Sequence, residues 1–319
     1  MAHKVFIDGQ AGTTGLRLAD RLSLRDDIEL VQIEEEKRKD IGARLSCMAE
    51  ADVAFLCLPD EDASVIVAEA EKAGLNKIRI IDCSTKHRTV SGWKYGIPEL
   101  FSIETTDKKI ANPGCHATGF IMSIRPLVDA GIVDKDSILS FHSLTGYSGG
   151  GKSMIASYEA AKGENSLKAP RQYALSQQHK HLPEMKKYSG IGMDPVFSPI
   201  VCDFYSGMLV SVPICGQVLR RSVSLADVRE ELERVYEGST LVKIRSIGAE
   251  FSEDFGGGLL AANAFENRDD IEIFVCGNDD RIEIVSRYDN LGKGASGAAI
   301  QNMNLVLGLP EEKGLVIGD

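Results

Sequence analysis

The sequence predicts an α/β protein of two domains, in which a doubly wound parallel sheet is combined with an α+β domain that has a mixed or antiparallel sheet. A short apolar strand at the N-terminus runs into a glycine turn and then into a helical pattern, which is typical of dinucleotide-binding domains. Apolar runs alternate with helical patterns in the first third of the chain, whereas strands with fewer helices between them follow residue 195. A length of 319 residues suits two domains.

Composition and charge narrow the classes of function. The formal net charge of −11 argues against binding to nucleic acid or to an anionic membrane surface. The seven cysteines lack metal-ligand spacing such as C-x₂-C, so we predict no metal site and expect free thiols in a reducing compartment. Because a strand begins almost at once at the N-terminus, we expect no signal or transit peptide. No apolar run approaches the ~20 residues of a membrane span. We therefore expect a cytoplasmic protein.

The N-terminal glycine turn is the candidate cofactor loop. Lys4–Ile7 forms the strand and a helical pattern begins at Leu16, which is the context that such a turn requires. The first glycine permits the tight turn, the second lets the backbone approach a pyrophosphate, and the third allows close helix–strand packing. The two threonines can cap the helix and donate to phosphate, and an ordinary turn is the alternative. The residues assigned to cofactor binding here are Gly9, Ala11, Gly12, Thr13, Thr14 and Gly15.

The end of the second strand leaves the choice between NAD and NADP open. The strand Ile28–Ile33 is followed by Glu34, and an acid about 20 residues past the glycines usually holds the adenosine ribose of NAD. Lys37 and Arg38 follow at once, however, and can meet a 2′-phosphate. A solvated charged loop is the third interpretation. The basic residues favour NADP.

The next two strands predict further ligand contacts. Ala51–Leu58 is a continuous apolar run of the buried parallel type, a helix follows over 61–73, and Lys77–Ile81 is another strand. Ligands bind beyond the carboxyl ends of such strands. This places four residues that follow the two strands near cofactor or substrate: Leu58, Pro59, Ser84 and Arg88. A surface position is the alternative for Arg88.

Cys115 is the candidate nucleophile. It follows Pro113 and Gly114, which end a strand, and it stands where a new helical pattern begins. A helix N-terminus favours the thiolate form of a cysteine. The alternative is a buried cysteine that packs as a small apolar residue.

The segment Gly146–Ser153 matches G-x-x-x-x-G-K-[ST]. In a P-loop enzyme it would cradle phosphates, with the serine on Mg²⁺. Its position in the middle of the chain, the lack of a clear following strand that ends in aspartate, and the absence of a role for Cys115 argue against this. A glycine-rich active-site loop that brings Lys152 to an anionic substrate is favoured over the P-loop, and a surface turn stays open.

The segment His179–Met185 supplies a candidate acid/base. We predict a helix around Ala174–His181 that Pro183 limits. Histidines two residues apart do not share a helix face, so they are a poor zinc pair. One of them can serve as acid/base beside a thiolate while Glu184 holds its other nitrogen. Structural histidines are the alternative.

The second half of the chain predicts an α+β domain. Strand-like runs occupy 195–220, and a helix over Ser224–Tyr236 has a serine cap. Further strands are predicted over 240–244, 270–276 and 281–286. A helix of small residues runs through Leu307, and close packing would let it lie back against the first domain.

Taken together, these segments resemble the N-acetyl-γ-glutamyl-phosphate reductase family in its shorter form. The resemblance rests on the glycine turn, NPGC at 112–115, Gly146–Lys152, HKHLPE at 179–184 and DNLGKGASGAAIQNMNLVLGL at 289–309. It implies a Rossmann NADP-binding domain over 1–114 and 290–319, and a catalytic and oligomerisation domain over 115–289. It also implies kinship with glyceraldehyde-phosphate and aspartate-semialdehyde dehydrogenases and a homo-oligomer, either dimer or tetramer.

The resemblance implies NADPH-dependent reduction of an acyl phosphate to a semialdehyde and inorganic phosphate in arginine biosynthesis. Cys115 would form a thioester, a protonated His181 would assist collapse of the thiohemiacetal, and His179 stays open as the alternative acid/base. His116 stands where the family often has tyrosine. On the same basis the cofactor set gains Asn290, Lys293 and Gly294, and the substrate set comprises Arg88, Asn112, Lys152 and His179.

Three other hypotheses compete with this one. Within the superfamily, the chain could reduce a different acyl phosphate such as aspartyl phosphate, as a relative of the aspartate-semialdehyde dehydrogenase type. A P-loop NTPase that uses Gly146–Ser153 belongs to another class. A regulatory protein that binds NADP without turnover is the third.

Overall fold

The computed structural model describes residues 2–161, 165–220 and 222–318. The predicted domain ranges begin at Met1 and end at Asp319, and these two residues lie outside the described residues. The chain divides into two compact units. Unit 1 contains the residues up to Pro113 together with Ala295–Leu315. Unit 2 contains Gly114–Gly294 and the residues from Val316 onward.

The strands are β1 His3–Asp8, β2 Ile28–Val31, β3 Val53–Leu56, β4 Arg79–Asp82, β5 Lys94–Tyr95, β6 Lys109–Ala111, β7 Ser140–Gly146, β8 Arg171–Gln172, β9 Val196–Cys202, β10 Met208–Ile214, β11 Val242–Ile244, β12 Ile271–Asn278 and β13 Arg281–Tyr288. The helices are α1 Thr13–Leu22, α2 Ile41–Glu50, α3 Asp60–Lys72, α4 Cys115–Asp129, α5 Gly151–Ala160, α6 Asn165–Lys168, α7 Leu182–Ser189, α8 Leu225–Val235 and α9 Gly297–Leu307. No helix within the described ranges is long and apolar enough to cross a membrane.

Unit 1 is a parallel sheet with helices on both faces, which confirms the predicted doubly wound fold. The strand order is β2-β1-β3-β4-β6-β5, and neighbouring strands are parallel. All four residues of β3 are buried, because both faces of the sheet are covered. One face packs against α1 and α9, with Leu18 and Met303 in the shared core. The other face packs against α2 and α3, through Met48 and Ile66.

Unit 2 contains the predicted mixed sheet, whose order is β11-β12-β13-β10-β7-β9-β8. The pairs β7–β9 and β11–β12 are parallel, and the other neighbours are antiparallel. Helix α4 is buried over most of its length and contacts α7, α8, β10 and β13. Helix α8 has the predicted serine cap, as a capping box between Ser224 and Asp227. The sheet and α4 together form the frame of the candidate site.

Two local predictions are wrong. Residues 174–181 are not helical, since Ala174 and Gln177 have φ values of 51° and 56°; the Gln177 amide exchanges two hydrogen bonds with the backbone of Phe197 and ties this loop to β9. Helix α7 instead begins after His181, with Pro183 in its first turn, where a proline needs no N–H partner. The threonines do not cap α1, because its N-cap residue is Gly12 and no side chain bonds there.

Candidate active site

Cys115 is the first residue of α4, as predicted, and its side chain is partly exposed. Gly114 is the N-cap residue with extended backbone angles, and the strand β6 ends a few residues earlier. A buried carboxylate oxygen of Glu184 accepts a hydrogen bond from the Gly114 N–H at 3.1 Å. This contact ties α7 to the start of α4. The first turn of α4 therefore presents a thiol at a helix N-terminus whose position is fixed from outside the helix.

The hydroxyl of Tyr288 is inserted into the first turn of α4. The Gly119 N–H donates to this hydroxyl at 3.0 Å, and the hydroxyl donates to the Cys115 carbonyl at 2.6 Å. A Cβ atom at Gly119 would lie 2.7 Å from the same hydroxyl, so only glycine leaves room for it. Burial, followed by the nearby Cys115 thiolate, raises the pKa of Tyr288 well above its ordinary value. Tyr288 thus holds the backbone of Cys115 from strand β13.

The loop after β13 lies directly against Cys115. A Cβ atom at Gly294 would be 3.0 Å from the Cys115 Cβ, and the Asp289 carbonyl accepts the Gly294 N–H at 3.0 Å. Asn290 accepts from the Gly207 N–H at 2.8 Å and donates to Ser148 Oγ at 3.0 Å. Lys293 is buried in this loop. Of the three residues assigned to the cofactor from this segment, Gly294 thus lies against Cys115, whereas Asn290 joins the loop to two neighbouring segments of unit 2.

Three histidines of unit 2 form a cluster that includes His116, the residue after Cys115. The rings of His179 and His181 lie 4.7 Å apart, and the His116 ring lies 5.7 Å from each. His179 Nδ1 accepts from the His181 backbone N–H at 3.2 Å, so a neutral His179 carries its proton on Nε2. His181 is the N-cap residue of α7, three residues before Glu184. Among the described residues, no group of three His, Cys, Asp or Glu side chains is placed to hold a metal ion.

His116 is held in the neutral state. Burial first, and then the charges of His179 and Lys180, lower the pKa of His116 to about 3. Its Nδ1 lies 2.8 Å from Ser143 Oγ and its Nε2 lies 2.7 Å from the Tyr173 hydroxyl. Burial and the Cys115 thiolate raise the pKa of Tyr173. A neutral imidazole and a protonated phenol therefore form a hydrogen-bonded chain beside the nucleophile candidate.

The glycine-rich segment after β7 has a fixed first half and an open second half. Ser148 is buried and bonded to Asn290, and a Cβ at Gly146 would lie 2.7 Å from the Tyr205 carbonyl carbon. Residues 147–150 form a 3₁₀ turn, and α5 begins at Gly151, whose φ is 71°. Lys152 is exposed in the first turn of α5.

The glycine turn of unit 1 has the conformation predicted from its spacing. Gly9 has a φ of 86°, and a Cβ on it would lie 2.9 Å from the Cys57 carbonyl carbon. The Gly12 N–H donates to the Gly9 carbonyl at 3.0 Å, which closes the turn. A Cβ at Gly15 would be 2.6 Å from that same carbonyl oxygen. Ala11, Thr13 and Thr14 are wholly or partly exposed around an uncapped helix N-terminus.

The other cofactor candidates of unit 1 lie at the ends of β2 and β3. Lys37 and Arg38 are exposed on a short 3₁₀ turn and pair with Glu34 and Glu35, at 2.7 and 2.5 Å. Leu58 is partly buried, and the exposed Pro59 is the N-cap residue of α3. The residues after β2 thus carry exposed acidic and basic side chains that pair with one another.

The segment after β4 carries a buried polar network. Asp82 accepts from Ser84 Oγ at 2.7 Å and contacts His87 Nδ1 at 2.6 Å, while the His87 ring stacks on Trp93 at 4.1 Å. Arg88 is buried, so a surface position for it is wrong.

The end of β6 is bonded to this network. Arg88 Nε donates to the Asn112 carbonyl at 3.0 Å, and the Asn112 amide donates to the Ala295 carbonyl at 2.9 Å. Two substrate candidates of unit 1, Arg88 and Asn112, are therefore in direct contact, and Asn112 stands three residues before Cys115 in the chain.

Sequence reasoning missed several residues of these sites. Tyr288 and Tyr173 lie far from Cys115 in the chain, and nothing in their local sequence indicates a partner. Asp82 is the last residue of the buried strand β4, two residues before Ser84. Its position at the carboxyl edge of the sheet, where ligands bind, could have identified it as a site residue. His87 precedes Arg88 without any pattern of its own.

Comparison with known proteins gives the class of protein first. The family model described as "Semialdehyde dehydrogenase, NAD binding domain" matches residues 4–108, and "Semialdehyde dehydrogenase, dimerisation domain" matches residues 115–290. Solved aspartate semialdehyde dehydrogenases share the fold. The enzyme from Francisella tularensis has a TM-score of 0.71 at 15% identity and covers 96% of this chain and all of its own. The Vibrio cholerae enzyme II has a TM-score of 0.70 at 16% identity, over 96% of this chain and 98% of its own. Residues 4–108 and 115–290 of this chain are therefore semialdehyde dehydrogenase domains.

Full-length relatives then give the family. A protein of Nostoc sp. named N-acetyl-gamma-glutamyl-phosphate reductase 2 is 42% identical over 98% of this chain and 99% of its own length. The N-acetyl-gamma-glutamyl-phosphate reductase of Brucella ovis is 40% identical over 97% of this chain and 100% of its own. The chain belongs to the N-acetyl-gamma-glutamyl-phosphate reductase family.

Proposed function

We propose that this protein reduces N-acetyl-γ-glutamyl phosphate to N-acetylglutamate semialdehyde and inorganic phosphate with NADPH, a step of arginine biosynthesis. Relatives of that name match nearly the whole chain. The observation that carries the proposal is Cys115 at the start of α4, where Glu184 and Tyr288 hold the backbone and three histidines cluster around the next residue, His116. This arrangement combines a nucleophile with a proton donor, which acyl-phosphate reduction requires.

Cys115 is the proposed nucleophile. Its thiolate attacks the acyl carbonyl, the carbon–oxygen bond to phosphate breaks, and inorganic phosphate leaves behind a thioester on Sγ. The N–H groups of the first turn of α4 lie at the positive end of the helix dipole, where they would stabilise the oxyanion that forms during attack. Division of the reaction into displacement and reduction gives two easier steps.

His181 is the proposed acid/base and Glu184 its positioning partner. A protonated imidazole donates its proton to the oxyanion that reduction leaves on the thioester carbon, which gives the thiohemiacetal. The neutral imidazole takes that proton back as the carbon–sulfur bond breaks, so the aldehyde leaves and Cys115 returns as thiolate. The buried Glu184 bonds to Gly114, so the segment that carries His181 is anchored at the nucleophile's helix. His179 takes a substrate-binding role here, and it is the alternative acid/base. A shift of the acidic limb of the rate profile in His181→Asn, with the limb retained in His179→Asn, supports the first assignment.

The residues of unit 1 fit a dinucleotide. Gly9 has the positive φ of a tight turn, and α1 has a free N-terminus for a pyrophosphate because no side chain caps it. When bound, NADPH supplies the hydride that reduces the thioester. The turn of Gly9–Gly15, with Leu58, Pro59 and Ser84 at the ends of β3 and β4, would hold it, and Asn290, Lys293 and Gly294 are further candidate contacts. Lys37 and Arg38 would meet the 2′-phosphate.

Four residues are the proposed substrate contacts. Arg88 and Asn112 are bonded to each other, and the guanidinium is suited to an anion. Lys152 and His179 come from unit 2. Small-molecule acyl phosphate, semialdehyde and phosphate are thus the expected ligands. Because unit 2 matches a dimerisation domain, we also propose a homo-oligomer, dimer or tetramer. A cytoplasmic location stays a prediction.

The test is absorbance at the NADPH band with N-acetylglutamate semialdehyde, phosphate and NADP. Wild type is expected to give a phosphate-dependent signal, and Cys115→Ser is expected to lose it. Aspartate semialdehyde in place of the acetylated substrate tests the related activity, because a faster signal with it would assign the chain to that reaction. ATP hydrolysis that survives Cys115→Ser and is lost in Lys152→Ala would favour the P-loop alternative. NADP binding without turnover of any semialdehyde would indicate a regulatory protein.

A further inference from the structure

Cys57 and Cys83 lie side by side at the carboxyl edge of the unit 1 sheet. Strands β3 and β4 are parallel neighbours whose last paired residues are Leu56 and Asp82. Each cysteine follows its strand by one residue, and the Cys83 N–H continues the ladder with a 2.9 Å bond to the Leu56 carbonyl. Backbones of neighbouring strands are about 5 Å apart, within the range of Cα separations that disulfides span.

Both side chains point to the same face of the sheet. Each packs against the apolar cluster that contains Phe55 and Ile81, and neither thiol is in a disulfide. A hydrogen bond with the Cys83 thiol, then burial, raise the pKa of Cys57 well above its ordinary value. Both residues remain partly exposed. The two sulfur atoms are therefore adjacent, and they belong to residues that keep part of their surface exposed.

We propose that Cys57 and Cys83 are a disulfide-forming site, oxidised by a low-molecular-mass disulfide such as glutathione disulfide. One protein thiolate attacks the reagent's sulfur–sulfur bond and releases one glutathione thiolate. The second protein thiolate then attacks the mixed disulfide and releases the other. The two protons of the protein thiols pass to the two leaving thiolates, so the protein loses two electrons and the reagent gains them.

The site is coupled to the glycine turn through the backbone of Cys57. The Cys57 N–H donates to the Asp8 carbonyl at 2.8 Å, and the Cys57 carbonyl carbon is the 2.9 Å neighbour of a Cβ built on Gly9. Cys83 lies between Asp82 and Ser84, in the segment that carries the buried polar network. A covalent bond between the two cysteines is expected to shift both segments and to weaken NADP binding. This second expectation rests on the proposed function, whereas disulfide formation does not.

The primary test is peptide mapping of the full chain after incubation with glutathione disulfide and blocking of free thiols with iodoacetamide. We expect one cross-linked peptide pair that joins Cys57 to Cys83, lighter than the sum of its parts by two hydrogens and lost on reduction. Cys57→Ala and Cys83→Ala should each leave the other thiol as a glutathione adduct. The matched control is Cys47→Ala, because Cys47 is also a partly exposed thiol of unit 1. This variant should keep the cross-link.

Rate and affinity complete the design. Because the pKa of Cys57 is raised, cross-linking should accelerate steadily as the pH rises above neutrality. NADP affinity is measured in the Cys115→Ser background, so that oxidation of the nucleophile candidate cannot contribute. We expect a several-fold higher Kd in the oxidised form, reversed by dithiothreitol and absent in Cys83→Ala.

The outcomes separate the two ideas. If both peptides are recovered as independent alkylated or glutathionylated species, the disulfide site is wrong. If the cross-link forms and NADP affinity is unchanged, the coupling to the glycine turn is wrong. If the cross-link forms and neither redox form binds NADP, the proposed cofactor site fails while the disulfide site stands.

Discussion

Replacement of Tyr288 by phenylalanine removes one hydroxyl from the first turn of α4. That hydroxyl bridges the Gly119 N–H and the Cys115 carbonyl, at 3.0 and 2.6 Å, in a fully buried position. Without it, one buried donor and one buried acceptor lose their partner, which costs about 2–4 kcal/mol of unfolding free energy in total. A direct hydrogen bond from the Gly119 N–H to the Cys115 carbonyl would recover part of this free energy, but it can form only if the start of α4 moves.

The movement is what affects function. Cys115 is the residue whose carbonyl is released, so its thiol should lose its fixed direction. We expect Tyr288→Phe to slow alkylation of Cys115 by iodoacetamide and to lower kcat more than it raises KM. Urea unfolding measures the stability loss, and mass spectrometry of the Cys115 peptide measures the alkylation rate.

Tyr236→Phe is the matched control. The Tyr236 hydroxyl donates to the Met122 carbonyl at 2.6 Å, so this substitution also removes a buried hydroxyl bonded to α4, two turns further along. It should cost about 1–2 kcal/mol without a change in Cys115 alkylation. If Tyr288→Phe keeps the wild-type alkylation rate and kcat, or if Tyr236→Phe reduces both equally, the positioning role of Tyr288 is refuted.

Three further substitutions affect residues around the start of α4. Gly119→Ala should lower the free energy of unfolding by about 1–3 kcal/mol, since its Cβ would lie 2.6 Å from Ser286 Oγ; a urea midpoint equal to wild type would contradict this. His116 binds a proton near pH 3 in the folded state and near pH 6.5 in the unfolded state. The free energy of unfolding should therefore fall on acidification, by about 2 kcal/mol between pH 6.5 and 5. His116→Gln should flatten this pH dependence, as measured by urea unfolding at both pH values. Glu184→Gln should keep the hydrogen bond to Gly114 yet alter the acidic limb of the pH–rate profile through His181. If both the pH–rate profile and the rate are unchanged, Glu184 has no part in the mechanism.

The features that the sequence predicted correctly are local in the chain. The glycine turn is followed at once by its helix, and Cys115 stands directly after Asn112-Pro113-Gly114, so spacing alone indicated a positive φ at Gly9 and a helix start at the cysteine. The alternation of apolar and helical segments likewise indicated a parallel sheet.

The features that were missed depend on distant partners. Gln177 bonds to Phe197 and overrides the helical preference of residues 174–181, because the strand supplies the backbone partners that a helix would otherwise provide. Tyr288 is 173 residues from Cys115, and its hydroxyl is specified by the register of β13 against the sheet rather than by its neighbours. Arg88 likewise depends on a distant partner, because its buried guanidinium donates to the carbonyl of Asn112, 24 residues further along the chain.

The covalent step at Cys115 is the central claim, and mass spectrometry of the intact chain tests it most directly. The protein is mixed with N-acetyl-γ-glutamyl phosphate in the absence of NADPH and quenched in acid, which preserves a thioester. We predict an N-acetylglutamyl adduct on the peptide that contains Cys115, absent from Cys115→Ser and discharged as semialdehyde when NADPH is added before the quench. Turnover by Cys115→Ser, or an adduct of wild type on any other residue, would contradict the account.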